Sequence, residues 1–259
     1  MLKPAWKARS SKWGLRTFSV VAFLVAWERA GQGNELLLPP FSKVVVAFGD
    51  LLISGELTAG FAVSLQAFVL GFGLATLVGL LLGFAMGRLR ALALVFNPYL
   101  DILLAAPAIA FIPLMVVWFG LGLFSRVGVV FTFAVVIIAV NTYTGVRGVD
   151  PQLVEMSRAF GLNEFQLFRK VILPAALPLI MGGMRLGAAR AFVGMVASDI
   201  ILVSVGIGAV IQKYNATFRT APLFATILAV ILLAVGMMEG MRAIERRAYR
   251  GTKSLIELR

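Results

Sequence analysis

The sequence contains no cysteine and no histidine. That excludes disulfide bridges, thiolate nucleophiles, imidazole metal ligands and every catalytic triad built on a histidine base. Charge is also scarce: 14% of the 259 residues are Asp, Glu, Lys or Arg, against roughly 25% in a soluble domain. GxxxxGK[ST], GxSxG, HExxH and paired membrane aspartates are all missing, so neither ATP hydrolysis, serine nucleophilic chemistry nor intramembrane proteolysis is encoded. The fragment Gly251-Thr252-Lys253-Ser254 has the wrong spacing for a phosphate loop. No catalytic residue and no metal ligand set is expected.

What is present is apolar surface. Hydrophobic residues make up 60% of the chain, and the mean hydropathy is +0.95. They fall into runs over 13–27, 57–87, 91–125, 127–146, 171–212 and 222–238. About 20 apolar residues cross a bilayer, so the pattern predicts an all-α membrane protein of six spans in one domain, 1–259. The first span, 13–30, has a short uncharged centre behind a basic start. Trp13 and Trp27 suit the two interfaces, and Ala26-Trp27-Glu28 is a poor cleavage site for a secretory leader.

The net charge of +12 follows membrane topology and not nucleic acid. Lysine and arginine crowd the amino-terminal end, the loop over 87–98 (Arg88, Arg90), the loop after Arg147 (Arg158, Arg169, Lys170) and the carboxy-terminal end. The alternating loops carry only Lys43, Arg126, Lys213 and Arg219. The positive-inside rule then puts both termini in the cytoplasm.

Outside the spans, Pro39-Pro40 ends an external segment and Ser42 can cap a helix over 41–55. Its apolar residues Phe41, Val44, Val45, Phe48, Leu51 and Leu52 recur at helical spacing. This fits an external helix in the interface or a plain lead-in to the second span. Gly79, Gly83 and Gly87 share one face of the second span, where a neighbouring helix can approach closely. Pro107 and Pro113 interrupt the third span, which makes it a candidate pathway wall or a kink made for packing. Asp101, Arg185, Arg190, Asp199 and Glu239 are charges in or near spans. At the bilayer centre each costs about 2.5–3.5 kcal/mol, so each needs a reason. Arg190 and Asp199 are nine residues apart, on nearly opposite helix faces and about 13 Å apart, so they cannot pair together. Arg185 or Arg190 could attract an anion and Asp199 could gate or bind. Otherwise they pair across the bundle or across a dimer, with Glu239 or Asp101 as partners.

The loop over 150–173 carries the clearest local signals. Asp150 precedes Pro151 as a helix cap, Gly161 sits at a helix end, and Asn163 with Gln166 has capping-box spacing. Leu153, Met156, Phe160, Leu162, Phe165 and Phe168 make this protrusion apolar, as a protein contact would be. Glu155-Met156-Ser157, Gly161, Val171 and Leu173-Pro174 then follow the pattern E-A-A-x3-G-x9-I-x-L-P, with Met, Ser and Val in place of Ala, Ala and Ile.

On this motif the chain resembles the permeases of ABC importers, most closely their sulfonate, taurine and nitrate branch. Stretches over 38–40, 54–57, 112–120, 141–150, 173–185, 206–208 and 245–247 extend the resemblance. It implies a type I permease fold in the bacterial inner membrane, with a coupling helix that enters a groove of a cytoplasmic ATPase. Glu155, Met156, Ser157, Phe160, Gly161, Leu173 and Pro174 would make that coupling, and Pro107, Pro113, Arg185, Arg190 and Asp199 are the pathway candidates. The resemblance also implies two permeases, two ATPases that use ATP and Mg, a periplasmic solute-binding protein, and no cofactor on this chain. The resemblance favours a small anionic solute such as a sulfonate, taurine, nitrate or a carboxylate, with a neutral vitamin-like compound as the other choice. Ser198-Asp199 and Leu104-Ala105-Ala106 depart from the family pattern near the pathway. A six-span secondary transporter or channel is the alternative, but it leaves the ordered loop unexplained.

Overall fold

The structure is a computed structural model that describes the backbone of residues 5–203 and 205–256, with side chains over 17–202 and 205–248. Trp13, the basic residues before it, Arg16, and Arg250, Lys253 and Arg259 lie outside the described side chains. Among the described residues there is no strand. The helices are α1 (Ala5–Gly31), α2 (Phe41–Ile53), α3 (Glu56–Arg88), α4 (Arg90–Ala105), α5 (Ile112–Phe119), α6 (Leu123–Arg147), α7 (Pro151–Ala159), α8 (Glu164–Leu167), α9 (Leu173–Ser198), α10 (Gly206–Ala216) and α11 (Thr220–Ile256). Among the described residues, four stretches are long and apolar enough to cross a membrane: α3, α6, Glu164–Leu202 and Thr220–Ala248. A fifth, Arg90–Ala105 with Ala108–Phe119, qualifies only as a pair bent by 99°.

The chain forms two compact units. In the first, Met1–Ala59 with Val210–Val230, α1 and α2 are fastened side by side. Trp27 Nε1 donates to the Pro39 carbonyl at 3.0 Å, and its ring packs on Phe41. Ser42 does not cap α2, whose cap position is Pro40. Glu28 of α1 takes that role, accepting the Ser42 N–H at 2.9 Å and its hydroxyl at 2.8 Å. A carboxylate there meets the unpaired N–H groups and the positive end of the helix dipole. Glu56 accepts from Lys213 Nζ at 2.8 Å and Tyr214 OH at 2.7 Å. The hydrogen bond to Glu56 holds the Lys213 ammonium above its usual range, while burial and then Glu56 push the Tyr214 phenol up. A cleft of about 560 Å³ lies beside them, lined by Lys43, Asp50, Glu56, Tyr214 and Arg219 among others.

The second unit, Gly60–Ala209 with Ile231–Arg259, is organised around α6. On one side α3 runs parallel to it: Gly71, Gly79, Gly83 and Gly87 meet Val130, Ile138, Thr142 and Val146 in turn, and Ala75 is fully buried in the same row. A Cβ at Gly83 would sit 2.5 Å from the Thr142 Cβ. Antiparallel α9 lies on another side, with Gly183 on Asn141, Gly187 on Ile138 and Gly194 on Phe133. In lipid, apolar area gives no drive for helices to associate, so close backbone approach through small residues has to supply the attraction.

The third run behaves as two helices. Ala106 precedes a proline and is extended, with ψ 137, which ends α4. Pro107 then leads into a 3₁₀ turn, Ala108–Phe111. Pro113 does not interrupt anything. It occupies the first turn of α5, where its missing N–H costs nothing. The expected loop over 87–98 shrinks to the single residue Leu89, and Pro98 lies inside α4. The fifth run also breaks, into α9, a π-helical turn at Asp199–Val203 and α10.

Candidate functional site

Two places concentrate polar chemistry. One is the loop between α6 and α9. Asp150 Oδ1 accepts the Gln152 N–H at 2.9 Å and starts α7. Phe160 closes α7, and Gly161 turns the chain at φ +79. Asn163 Oδ1 accepts from Gln166 N at 2.8 Å, while Gln166 Oε1 accepts from Asn163 N at 3.2 Å, the reciprocal box expected of this spacing. Leu167, 1% exposed, anchors α8, and Phe168 packs edge-on to Phe84 of α3. Glu164 bridges Arg158 (3.1 Å) and Arg88 of α3 (3.2 Å). A π-helical turn, Phe168–Ile172, leads into α9, with Leu173 and Pro174 half-buried in its first turn.

The apolar residues of the loop divide in two. Leu153, Leu162 and Phe168 are half-buried, and Ser157 is buried with its hydroxyl on the Leu153 carbonyl at 2.7 Å. Met156, Phe160 and Phe165 are 48%, 79% and 70% exposed, next to exposed Glu155.

The other place is buried. Asp199 is fully enclosed, and its Oδ1 accepts from Arg126 Nε at 2.7 Å and Nη2 at 2.6 Å. Arg126 Nη2 also donates to the Val63 carbonyl at 3.1 Å. The Ser64 hydroxyl donates to Asp199 Oδ2 and accepts the Ile207 N–H at 2.9 Å. Four segments thus meet on one carboxylate: α3, α6, the end of α9 and the start of α10. Gly206, at φ +59, has Asp199 Oδ2 only 2.9 Å from where a Cβ would stand, and a Cβ on Gly208 would lie 2.5 Å from the Asp199 carbonyl oxygen. The glycines of Gly206-Ile207-Gly208 are there because the backbone folds over the ion pair.

The partner of Asp199 is therefore Arg126, and not Glu239 or Asp101. Arg126 separates two apolar runs, as a residue of an external loop would, yet it lies in the first turn of α6 and is 3% exposed. Glu239 pairs with Arg242, and Arg185 with Glu245 at 2.7 Å. Arg190 is exposed and, among the described residues, has no ion-pair partner. Pro107 and Pro113 are exposed at the bend. The structure does not gather the five pathway candidates into one cluster.

Residues 75–250 match the family of inner membrane components of binding-protein-dependent transport systems. The chain belongs to this family. It is the membrane-spanning permease of an ABC importer, a multi-pass inner-membrane transport subunit and not an enzyme. The permease is 33% identical over 226 residues to SsuC of Bacillus subtilis strain 168, named as an aliphatic sulfonates transport permease, covering 86% of this chain and 81% of that one. It is 35% identical over 216 residues to the riboflavin transport system permease protein RibX of Chloroflexus aurantiacus, covering 83% and 80%. Its fold is shared with a chain in the crystal structure of an amino acid ABC transporter with histidines: TM-score 0.63, 18% identity, 77% of this chain and 98% of that one.

Proposed function

We propose that two copies of the permease enclose a path for a small anion, delivered by a periplasmic binding protein and driven by two ATPase subunits that bind ATP and Mg. The permease itself holds no cofactor. The observation that carries this is the exposure of Met156, Phe160 and Phe165 on a loop whose backbone is capped at both helix starts and anchored by Leu167. Such residues are too well ordered for a connector and too apolar for water, and a groove on the ATPase would cover them. Glu155 and Ser157 belong to the same turn, and Leu173 and Pro174 carry its movement into α9.

Phe160→Asp is the direct test. Its side chain is mostly solvent-exposed, so the permease should accumulate as the unaltered protein does while co-purified ATPase falls at least about tenfold. Gly161→Val adds a strained left-handed residue, costing roughly 1–2 kcal/mol, and should keep assembly but uncouple ATP hydrolysis from uptake. Retention of ATPase by Phe160→Asp would remove this loop from the interface.

We further infer six spans with both ends cytoplasmic, α1 and the bent α4–α5 pair being the first and third, and α2 (within 41–55) lying on the outer surface. The parallel run of α3 and α6 against α9 supports it, since an alternating topology requires those directions. Withdrawal of Arg126 into the fold also leaves fewer cations on the external side. The chain lacks cysteine, so a cysteine added at either end can be probed with an impermeant thiol reagent. It should react only after the cells are opened.

For the solute, the relatives named for sulfonates and riboflavin differ in charge. Arg190 decides us for an anion: Arg185 is neutralised by Glu245, whereas Arg190 keeps a free charge in an apolar helix. Arg126 and Asp199 brace the wall and do not line it.

A further inference from the structure

Arg190 has a counterpart. Asp101 of α4 is also exposed and, like Arg190, has no ion-pair or hydrogen-bond partner among the described residues. The two are at the same depth. Leu100 clusters with Val136 and Ala139, which places Asp101 beside the middle of α6. Arg190 lies between Gly187, which meets Ile138, and Gly194, which meets Phe133, again the middle of Leu123–Arg147.

They also face the same way. Each residue turns a helix by about 100°, so the α6 residues under α9 (Ala134, Ile138, Asn141) point opposite to those under α4 (Val136, Ala139, Tyr143). The third side of α6 holds α3, and the fourth, with Ile137 and exposed Thr144, is open. On α9, Phe192 meets Phe68 of α3 on the flank opposite Arg190. On α4, Phe96 and Leu103 border the groove shared with Leu82 of α3, on the flank opposite Asp101. Both charges therefore flank the open side of α6, one on each bank, and do not pair within one copy.

We propose that the open α4–α6–α9 face meets a second copy of this chain, with Arg190 of each copy paired to Asp101 of the other. A two-fold axis along the membrane normal keeps depth unchanged and sets α9 of one copy against α4 of its mate, because a two-fold interface is self-complementary. Equal depth and opposite sign are the two conditions for such a pair, and both hold. Lipid is a poor occupant, since it would leave two bare charges at the centre of the hydrocarbon. The two ion pairs close the path at mid-depth when it is empty, and an incoming anion competes with Asp101 for Arg190. This rests on the homodimer reading above.

The test uses the whole transporter in its native membrane, and again the absence of native cysteine helps. Two differently tagged copies, one Asp101→Cys and one Arg190→Cys, are co-expressed and treated with a short bis-maleimide. A mixed-tag covalent dimer is expected. Asp101→Arg and Arg190→Asp alone should each lower the yield of the two-permease complex at least about tenfold, and the exchanged pair Asp101→Arg/Arg190→Asp should restore that yield to within about threefold of the unaltered protein while uptake stays low for want of Arg190, the coupling expected of a close charge pair. Native mass of the purified transporter separates the possible failures. One permease per complex sinks the homodimer itself. Two permeases without the 101–190 cross-link, or with no recovery on exchange, sink only this pairing.

Discussion

Replacing Arg126 with methionine is expected to cost the permease about 3–5 kcal/mol, because it strands a buried carboxylate that the fold cannot hydrate. Asp199 is fully enclosed, and its other partner, Ser64, is also fully buried. Water therefore cannot replace the guanidinium without opening the contact between α3, α6 and the start of α10. The single variant should lose most of its membrane accumulation, and what remains should melt well below the unaltered protein in detergent. Removing both charges, as Arg126→Met with Asp199→Leu, should cost less than Arg126→Met alone, since an apolar pair of similar volume often matches a buried ion pair. The measurement is thermal aggregation followed by size-exclusion chromatography. A single variant that melts with the unaltered protein would show that the ion pair does not hold these segments together.

Gly83→Val should be of similar severity, for a steric reason. The Cβ would meet both the Thr142 Cβ at 2.5 Å and the Ala139 carbonyl at 2.6 Å. The second contact is backbone, so no rotamer change relieves it, and α3 has to lift off α6. Overpacking usually costs about 1–3 kcal/mol, and this site belongs at the upper end or beyond. Gly73 lies on the same helix with nothing within 4 Å of its added Cβ. Gly73→Ala should be neutral or stabilise by up to roughly 1 kcal/mol. Equal yields and melting temperatures for the two variants would refute the close-packing role of the glycine row.

Much of this was legible in the sequence because it depends on local rules. Asp150, Gly161, Asn163 and Gln166 act on neighbours within a few residues, and each does what its spacing predicts. The row at Gly79, Gly83 and Gly87 was legible for the same reason, as a period along one helix. The partner of Asp199 was not. Arg126 is separated from it by 73 positions, and it falls between two apolar runs, where a charge reads as a loop. The signal that could have found it is Gly206-Ile207-Gly208, two glycines immediately beyond an acidic residue in a span. Ser42 differs from its expected role for a related reason: it has the chemistry of a cap, but Glu28 from another helix accepts its N–H instead. Pro113 reads as a break in the sequence because a proline inside an apolar run breaks or begins a helix with equal ease, and only the chain before it decides which. The free charges Arg190 and Asp101 were visible as residues, but their common depth appears only once α6 lies between them.

The glycine contacts that clamp α3 and α9 onto α6 bear on how the path can open. Those three helices are in close contact along rows 71–87 of α3 and 183–194 of α9, with Ala75, Ala134, Ile138, Ala139 and Ala188 wholly without exposed surface. They cannot slide past one another without collisions at every turn, so they move as a single rigid body. Flexure is left to the places where the helical ladder is already interrupted: the extended step at Ala106–Pro107 and the two π-helical turns, Phe168–Ile172 and Asp199–Val203. One of these hinges lies against the loop proposed to meet the ATPase and another contains Asp199 of the buried ion pair. A push on the loop would therefore be passed on as a tilt of an undeformed block.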